Sequence, residues 1–318
     1  MKVLHTSAVA ADEIDALGHL NVRYYMSRAQ AANRAMLDHL GLTPGALDSL
    51  GARLVQADSY TRYHREQFEG AKLTVRGGVL EVGRGTLRAY FEIDNDAKGE
   101  VAASFILVMA LVDRATRAPL ALPDTVVAAT AGLMTELPAH GQPRTVDLGT
   151  PRLDVSYEAV AARLGDEIAD PMSRRMEATI AAEDCDDHGF LNDGEDMMFG
   201  MLRNMRPIDD GRPQLQQWGP PTFTTDEGHR FGWASLETRI VRLAQPRAGD
   251  RVCSISAEIG LHDKVRHSRR WMFNMTDGQL VSMNDNIALA LDLDARRPIA
   301  IPPSLRDQLE RRHMPEFA

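Results

Sequence analysis

The sequence predicts an α+β protein built from two tandem copies of one unit, in which an antiparallel sheet is laid against a helix. Three observations predict it: the length, a motif repeated at a fixed interval, and the same order of elements in both halves. At 318 residues the chain exceeds the size at which single cores usually stop growing, so two domains are expected. Hydrophobic residues at 44% and charged residues at 25% supply enough apolar material for both cores.

The repeat is read directly. DALGHLN at residues 15–21 returns as DDHGFLN at residues 186–192, an offset of 171 (186 − 15) that also carries Asn33 onto Asn204. Further on, DRATRAP at 113–119 returns as DLDARRP at 292–298, an offset of 179 (292 − 113). The order is kept and the second copy gains eight residues (179 − 171). Duplication explains two ordered matches better than coincidence does.

Each copy opens with a short strand and the motif loop, then a helix. In the first, Val22, Tyr25, Met26, Ala29, Ala32, Met36, Leu37 and Leu40 recur at three and four, and Gly41 is a stop. In the second, Met197, Met198, Met201, Leu202 and Met205 repeat the pattern before Pro207. The helices are expected to begin near Asn21 and Asn192. Strands follow at 72–82, 87–93 and 101–112 in the first copy, and at 251–259, 269–275 and 280–291 in the second. The domains are thus 1–135 and 172–318, joined by a linker at 136–171 that holds a helix around 155–164. The eight extra residues fall between Met205 and Ala234, where Trp218, Phe223, Phe231 and Trp233 read as a loop or lid.

Composition excludes several functions. A net charge of −9 and a pI near 5.6 argue against nucleic-acid binding, which needs a basic surface. Two cysteines, Cys185 and Cys253, make neither a disulfide framework nor a four-cysteine zinc site and suit a reducing, cytoplasmic setting. The N-terminus offers no signal-peptide core, and the apolar run 101–112 is too short to span a membrane. Gly83-x-Gly85 lacks the third glycine of a dinucleotide fingerprint, and neither a phosphate loop nor a His-Glu-x-x-His helix occurs. No metal or resident cofactor is expected.

Asp15-x-x-Gly18-His19-Leu20-Asn21 followed by Tyr24-Tyr25 resembles the signature of hotdog-fold acyl-CoA thioesterases. It is also similar to plant-type acyl-acyl-carrier-protein thioesterases, which are double hotdogs. Asp184-Cys185-Asp186-x-x-Gly189 is similar to the form in the 4-hydroxybenzoyl-CoA thioesterase branch. The resemblance implies two tandem hotdog folds, each a sheet wrapped around a central helix, forming an intramolecular pseudodimer. It implies hydrolysis of an acyl-CoA or acyl-carrier-protein thioester in lipid metabolism, with Asp15, Asp186 or both as the catalytic carboxylate. Leu17 replaces the Asn of the carrier-protein enzymes' Asp-x-Asn-x-His pattern, and Phe190 stands at the place of His19, so Asp15 ranks above Asp186.

The chemistry fits these residue types. A thioester is attacked by water that a carboxylate deprotonates, or by the carboxylate itself. The backbone N–H groups of Asn21, Val22 and Arg23 at the helix start would hold the oxyanion, aided by the helix dipole. Tyr24, Asn33 and Asn192 complete the expected substrate-binding set. Ordinary alternatives stand beside each assignment. Asp before Gly is a common turn residue, His19 can cap the loop, and Asn33 can be a satisfied buried amide. Glu195 and Asp196, the carboxylates some hotdog enzymes draw from this helix, also suit a solvated first turn. Arg62 with Arg65, and Lys264 with Arg266, Arg269 and Arg270, are the basic clusters that phosphate would meet. A hotdog dehydratase or hydratase and a non-catalytic acyl-binding module are the competing functions, and a homo-oligomer is left open.

Overall fold

Five strands build the sheet of the first unit. They are β1 (Lys2–Ala8), β2 (Ala52–Tyr63), β3 (Lys72–Val82), β4 (Thr86–Asn95) and β5 (Glu100–Asp113). The computed structural model describes residues 1–15, 17–192, 205–208, 223–224, 228 and 230–318, and the chain divides into units Met1–Arg144 and Thr145–Ala318. In the first unit all neighbours pair antiparallel in the order β1-β3-β4-β5-β2.

Helix α1 (Val22–His39) starts where the periodicity predicts. Asn21 is its N-cap, the side chain accepting the Arg23 N–H. Gly41, at φ +84°, ends it, since such a backbone is easy only without a Cβ. Tyr25, Ala29, Ala32, Met36 and Leu37 pack on Leu87, Ala89, Phe91, Ile93, Phe105 and Leu107. Ala29 and Ala32, fully buried, keep the helix close to the sheet. The short helix α2 (Pro44–Ser49) follows, and α3 (Asp124–Thr130) adds Val126 to this core.

The opposite face of this sheet is polar and is crossed by residues 139–144. Arg62 donates to the carbonyls of His140 and Gln142 at 2.8 and 2.9 Å. It is thereby a structural clamp within the unit. Gly141 fits because a Cβ there would lie 2.7 Å from the Tyr90 ring.

The second unit carries the helices α4 (Tyr157–Leu164) and α5 (Pro303–Arg311). Its strands are β6 (Met176–Thr179), β7 (Arg206–Pro207), β8 (Phe223–Thr224), β9 (Arg230–Arg242), β10 (Arg251–Leu261), β11 (Val265–Asn274), β12 (Leu280–Asp292) and β13 (Arg297–Pro298). The order β6-β10-β11-β12-β9 is antiparallel throughout and repeats the first unit's order strand for strand. Irregularities coincide as well. β3 shifts register between Val79 and Glu81, and β10 does so between Glu258 and Gly260. A parallel bridge joins Val79 to Met134 and another joins Glu258 to His313. Each correspondence is 179 residues apart (258 − 79), so the offset read from the downstream motif holds along the strands.

Alternation gives the second sheet two distinct faces. On one, Ile255, Ala257, Trp271, Phe273 and Met283 pack under Val160 and Leu164 of α4 and under Met314. On the other, Met272 and Val252 meet Leu191 and Met205, while Ala290 meets Leu305 and Leu309 of α5.

The segment read as a linker, 136–171, belongs partly to each unit. Its start is held by Arg62, and from Val155 it joins the second core. Phe231 and Trp233 do not lie in a lid. They sit in β9, which pairs with β12 along its length, and Phe231 is buried. Phe223 lies in the two-residue β8. Trp218, the helix expected after Asn192, and with it Glu195, Asp196 and Asn204, lie outside the described residues. No helix among the described residues is long and apolar enough to cross a membrane.

Candidate active site

The motif loop is a tight turn closed by its own backbone. Ile14 bridges Leu20, the Asp15 N–H donates to the His19 carbonyl at 2.9 Å, and the Gly18 N–H donates to the Asp15 carbonyl at 2.9 Å. Gly18 takes φ +80°, which an L side chain rarely adopts. Asp15 Oδ1 accepts the Leu17 N–H at 2.8 Å. That leaves Oδ2, which lies 3.6 Å from His19 Nδ1.

His19 stands between two carboxylates. Its Nε2 lies 3.7 Å from Glu66 Oε1, and its Nδ1 is 3.3 Å from the Leu20 carbonyl. Asp15 and His19 are largely enclosed, with side chains 13% and 15% exposed, while Glu66 is 38% exposed. Glu66 had no signature in the sequence. It arrives because the segment after β2 is sewn to the motif loop, the Leu20 N–H donating to the Gln67 carbonyl and Tyr25 Oη to the Arg65 carbonyl. Burial, despite the nearby Arg28 charge, raises the Tyr25 phenol above its ordinary range, so Tyr25 is a neutral donor.

The loop is also anchored to α1. Arg28, nearly buried, forks onto both oxygens of Glu13 at 3.1 and 2.6 Å and also reaches Ser7, the Ala8 carbonyl and the Tyr24 carbonyl. A bidentate pair of this kind fixes orientation as well as distance.

At the helix start the expected donors divide. The Asn21 N–H is spent on the Glu13 carbonyl and the Arg23 N–H on the Asn21 side chain. Neither is therefore free to hold an oxyanion, which corrects the expectation for Asn21 and Arg23. The Tyr24 N–H donates to the Asn21 carbonyl, and the Arg23 guanidinium stacks on the Tyr24 ring at 4.8 Å. Val22 keeps its N–H without a partner among the described residues. Asn33, on the buried face of α1, has an Oδ1 with no hydrogen-bond partner among the described residues, so that oxygen is not satisfied there.

The second copy repeats the turn. Cys185 bridges Leu191, Asp186 N–H donates to the Phe190 carbonyl, Gly189 N–H to the Asp186 carbonyl, and Gly189 takes φ +76°. Here Asp186 Oδ1 accepts two N–H groups, from His188 and Phe190, both at 3.0 Å. Phe190, at the place of His19, is buried under the Arg247 guanidinium at 4.0 Å. The Asn192 N–H donates to the Asp184 carbonyl. Burial and the charges of Asp184 and Asp186 push the Cys185 thiol up, which keeps it from serving as a thiolate at neutral pH.

A family model described as the thioesterase-like superfamily matches residues 9–130. The match spans most of the first unit, which is thus similar to that superfamily. The matched span contains the Asp15 turn, α1 and all of β2 to β5. Solved structures agree in fold, which is the α+β hotdog type. An acyl-ACP thioesterase from Bacteroides thetaiotaomicron is 14% identical, with a TM-score of 0.58 over 89% of this chain and 96% of that one. The 12:0-ACP thioesterase from Umbellularia californica is 12% identical, with a TM-score of 0.61 over 90% and 93%. No curated protein matches the sequence.

Proposed function

We propose that the chain hydrolyses an acyl thioester, carried by coenzyme A or an acyl carrier protein, with Asp15 as base or nucleophile. The observation that carries this reading is the state of the Asp15 carboxylate. One oxygen is held by its own turn, and the other faces His19 next to a helix start whose Val22 N–H is unspent. As base, Oδ2 takes a proton from water and the hydroxide adds to the thioester carbonyl carbon. The oxyanion accepts from the Val22 N–H. Collapse then breaks the C–S bond, and the leaving thiolate recovers the proton from Asp15. As nucleophile, the same oxygen adds to the carbonyl carbon and the C–S bond breaks to expel the thiolate; water then opens the resulting acyl–Asp15 anhydride, returning the Asp15 carboxylate, releasing the acid and giving a proton to the thiolate.

His19 positions Oδ2, and Asn33 offers a buried acceptor to the substrate. The superfamily similarity of the first unit and the carrier-protein thioesterases that share the fold support thioester hydrolysis. The repeated turn and repeated strand order support two tandem hotdog copies, in a cytoplasmic enzyme of lipid metabolism. Asp186, its Oδ1 already taken by two N–H groups, serves its turn.

The test is Asp15→Asn, assayed across short, long, aromatic and charged acyl-CoAs and acyl carrier proteins. Loss of about 10²–10⁴-fold in hydrolysis is expected, with Asp186→Asn retaining most activity. Unchanged hydrolysis in Asp15→Asn sinks the mechanism. An Asp186→Asn variant that alone loses activity reverses the assignment of copies.

A further inference from the structure

The two sheets share strand order and bulges, yet the corresponding faces differ in chemistry. In the first unit the face against α1 carries Val79, Leu87, Phe91 and Leu133, all in one apolar core. The 179-residue offset (266 − 87) places Glu258, Arg266, Arg270 and Arg312 at those positions. Strand register confirms that they share a face. Ser256 opposes Arg270, Glu258 opposes Ser268, and Ser254 opposes Met272.

Positive charge is concentrated there. Arg266 Nη1 and Arg312 Nη1 lie 3.6 and 3.7 Å from the same oxygen, Glu258 Oε1. The Arg312 side chain is fully buried and that of Glu258 is 2% exposed. Arg270 reaches Ser256 Oγ at 3.2 Å. Arg174 adds its charge, close enough to act on Arg270 and to feel Arg266 and Arg312. Burial first, then Arg266 and Arg312, push the Arg174 guanidinium down to about 10, and burial first, then Arg174 and Arg266, push Arg270 down to about 9. Arginine side chains carry their charge at neutral pH. The acids nearest Arg312 besides Glu258 are already engaged. Asp170 accepts from the Met172 N–H and Gln308, and Glu167 pairs with Arg311.

Hydrogen bonding is incomplete as well. Arg266 Nε and Nη1, Arg312 Nη1 and Glu258 Oε2 are buried without a hydrogen-bond partner among the described residues. Arg266 otherwise lies on the Trp233 ring at 4.7 Å. Buried, unmatched guanidinium N–H groups in excess of carboxylates destabilise the apo protein unless an anion joins them. Bidentate oxyanions fit such forks.

We propose that this face of the second unit binds an oxyanion, the carboxylate or phosphate group of a small ligand, through Arg266 and Arg312. Arg174 and Arg270 supply the surrounding positive field. Glu258 sets the spacing of the two forks.

The full chain is titrated with glutarate and, separately, with inorganic phosphate, against sodium chloride at matched ionic strength, following Tm and calorimetric binding. At about 100-fold over Kd the stabilising anion raises Tm by roughly 5 °C. A response to glutarate assigns a carboxylate, a response to phosphate a phosphoryl group, and each supports the site. Arg266→Leu installs the residue the first unit has at this position. It is expected to abolish the shift while leaving the unliganded Tm equal or higher. Arg311→Leu, at an exposed arginine, keeps the shift. No anion-specific shift in the native chain, or a shift preserved in Arg266→Leu, overturns the proposal. Arg312 also holds Met172 and Ser173, so Arg266 decides if Arg312→Leu does not fold. Because binding is read and not turnover, the outcome is independent of the thioester chemistry.

Discussion

Arg270 donates from Nε to Ser256 Oγ at 3.2 Å, at the two positions where the first unit packs Phe91 across Gly77. The strand pairs are equivalent: Gly77 opposes Phe91 in β3 and β4, and Ser256 opposes Arg270 in β10 and β11. One backbone thus carries a ring over bare backbone in one unit and a charged fork over a hydroxyl in the other.

Gly77→Ala is expected to destabilise the first unit by about 1–3 kcal/mol, the usual cost of overpacking. A Cβ there would sit 2.4 Å from Phe91 Cδ1 and 2.9 Å from the Tyr90 carbonyl oxygen. Urea unfolding measures it. Combining the change with Phe91→Leu should recover part of the loss, and no recovery would show that the backbone contact dominates.

Glu13→Gln should cost roughly 2–4 kcal/mol, because it leaves the enclosed Arg28 without its counter-charge. Burial raises the Glu13 carboxyl, but the Arg28 and Ala10 hydrogen bonds outweigh it and hold the group below its usual 4.5. The folded value is therefore the depressed one. This stabilisation is present above pH 4.5 and is lost as pH falls through the lower folded value. An acid melt that is identical in Glu13→Gln and the native chain would contradict it.

His64 gives a second pH dependence, at higher pH. Burial, and then the Arg62 charge, push its imidazole down to about 4 from 6.5, and Nε2 lies 3.0 Å from Ser104 Oγ. Unfolded chains take up this proton near 6.5 and folded ones near 4, so acid favours unfolding across that window. The His64 contribution to Tm should fall between pH 6.5 and 4 and be spent below that. His64→Gln should flatten that part of the profile, as followed by calorimetry.

His19→Phe, which installs the second copy's residue, should lower kcat for thioester hydrolysis by about 10–100-fold with KM little changed. Glu66→Gln should shift the pH–rate profile while retaining most of kcat, since Glu66 lies beside His19, which in turn faces Asp15. Equal loss of kcat and rise of KM in His19→Phe would mark a folding role instead.

The motif turn and α1 were legible because their determinants are local. Asp15, Gly18 and Asn21 close a turn and a cap within seven residues, and the buried stripe of α1 has helical spacing. Glu66 was not legible, since it meets His19 from 47 residues away (66 − 19) through hydrogen bonds of Gln67 and Arg65 to other segments. β2 was missed because Ser59, Thr61 and Arg62 are buried polar groups that interrupt the apolar alternation. Phe231 and Trp233 did carry the period of two that marks a strand, but the Pro- and Gly-rich stretch before them drew both into the loop reading. The donors at the helix start were over-counted because the cap and the Glu13 carbonyl, which consume two of them, appear only in three dimensions.

The placement of apolar bulk in the second unit carries an evolutionary consequence. The first unit depends on the α1 side of its sheet for cohesion, whereas in the second Trp271, Phe273 and Ile255 gather on the reverse side beneath α4. With that reverse side supplying cohesion, the second-unit equivalents of Leu87 and Phe91 need not be apolar. They could accept charge without unfolding the chain. Relatives with the same two-unit order should therefore carry polar or charged residues at the equivalents of Leu87 and Phe91 in their second half and apolar residues there in their first.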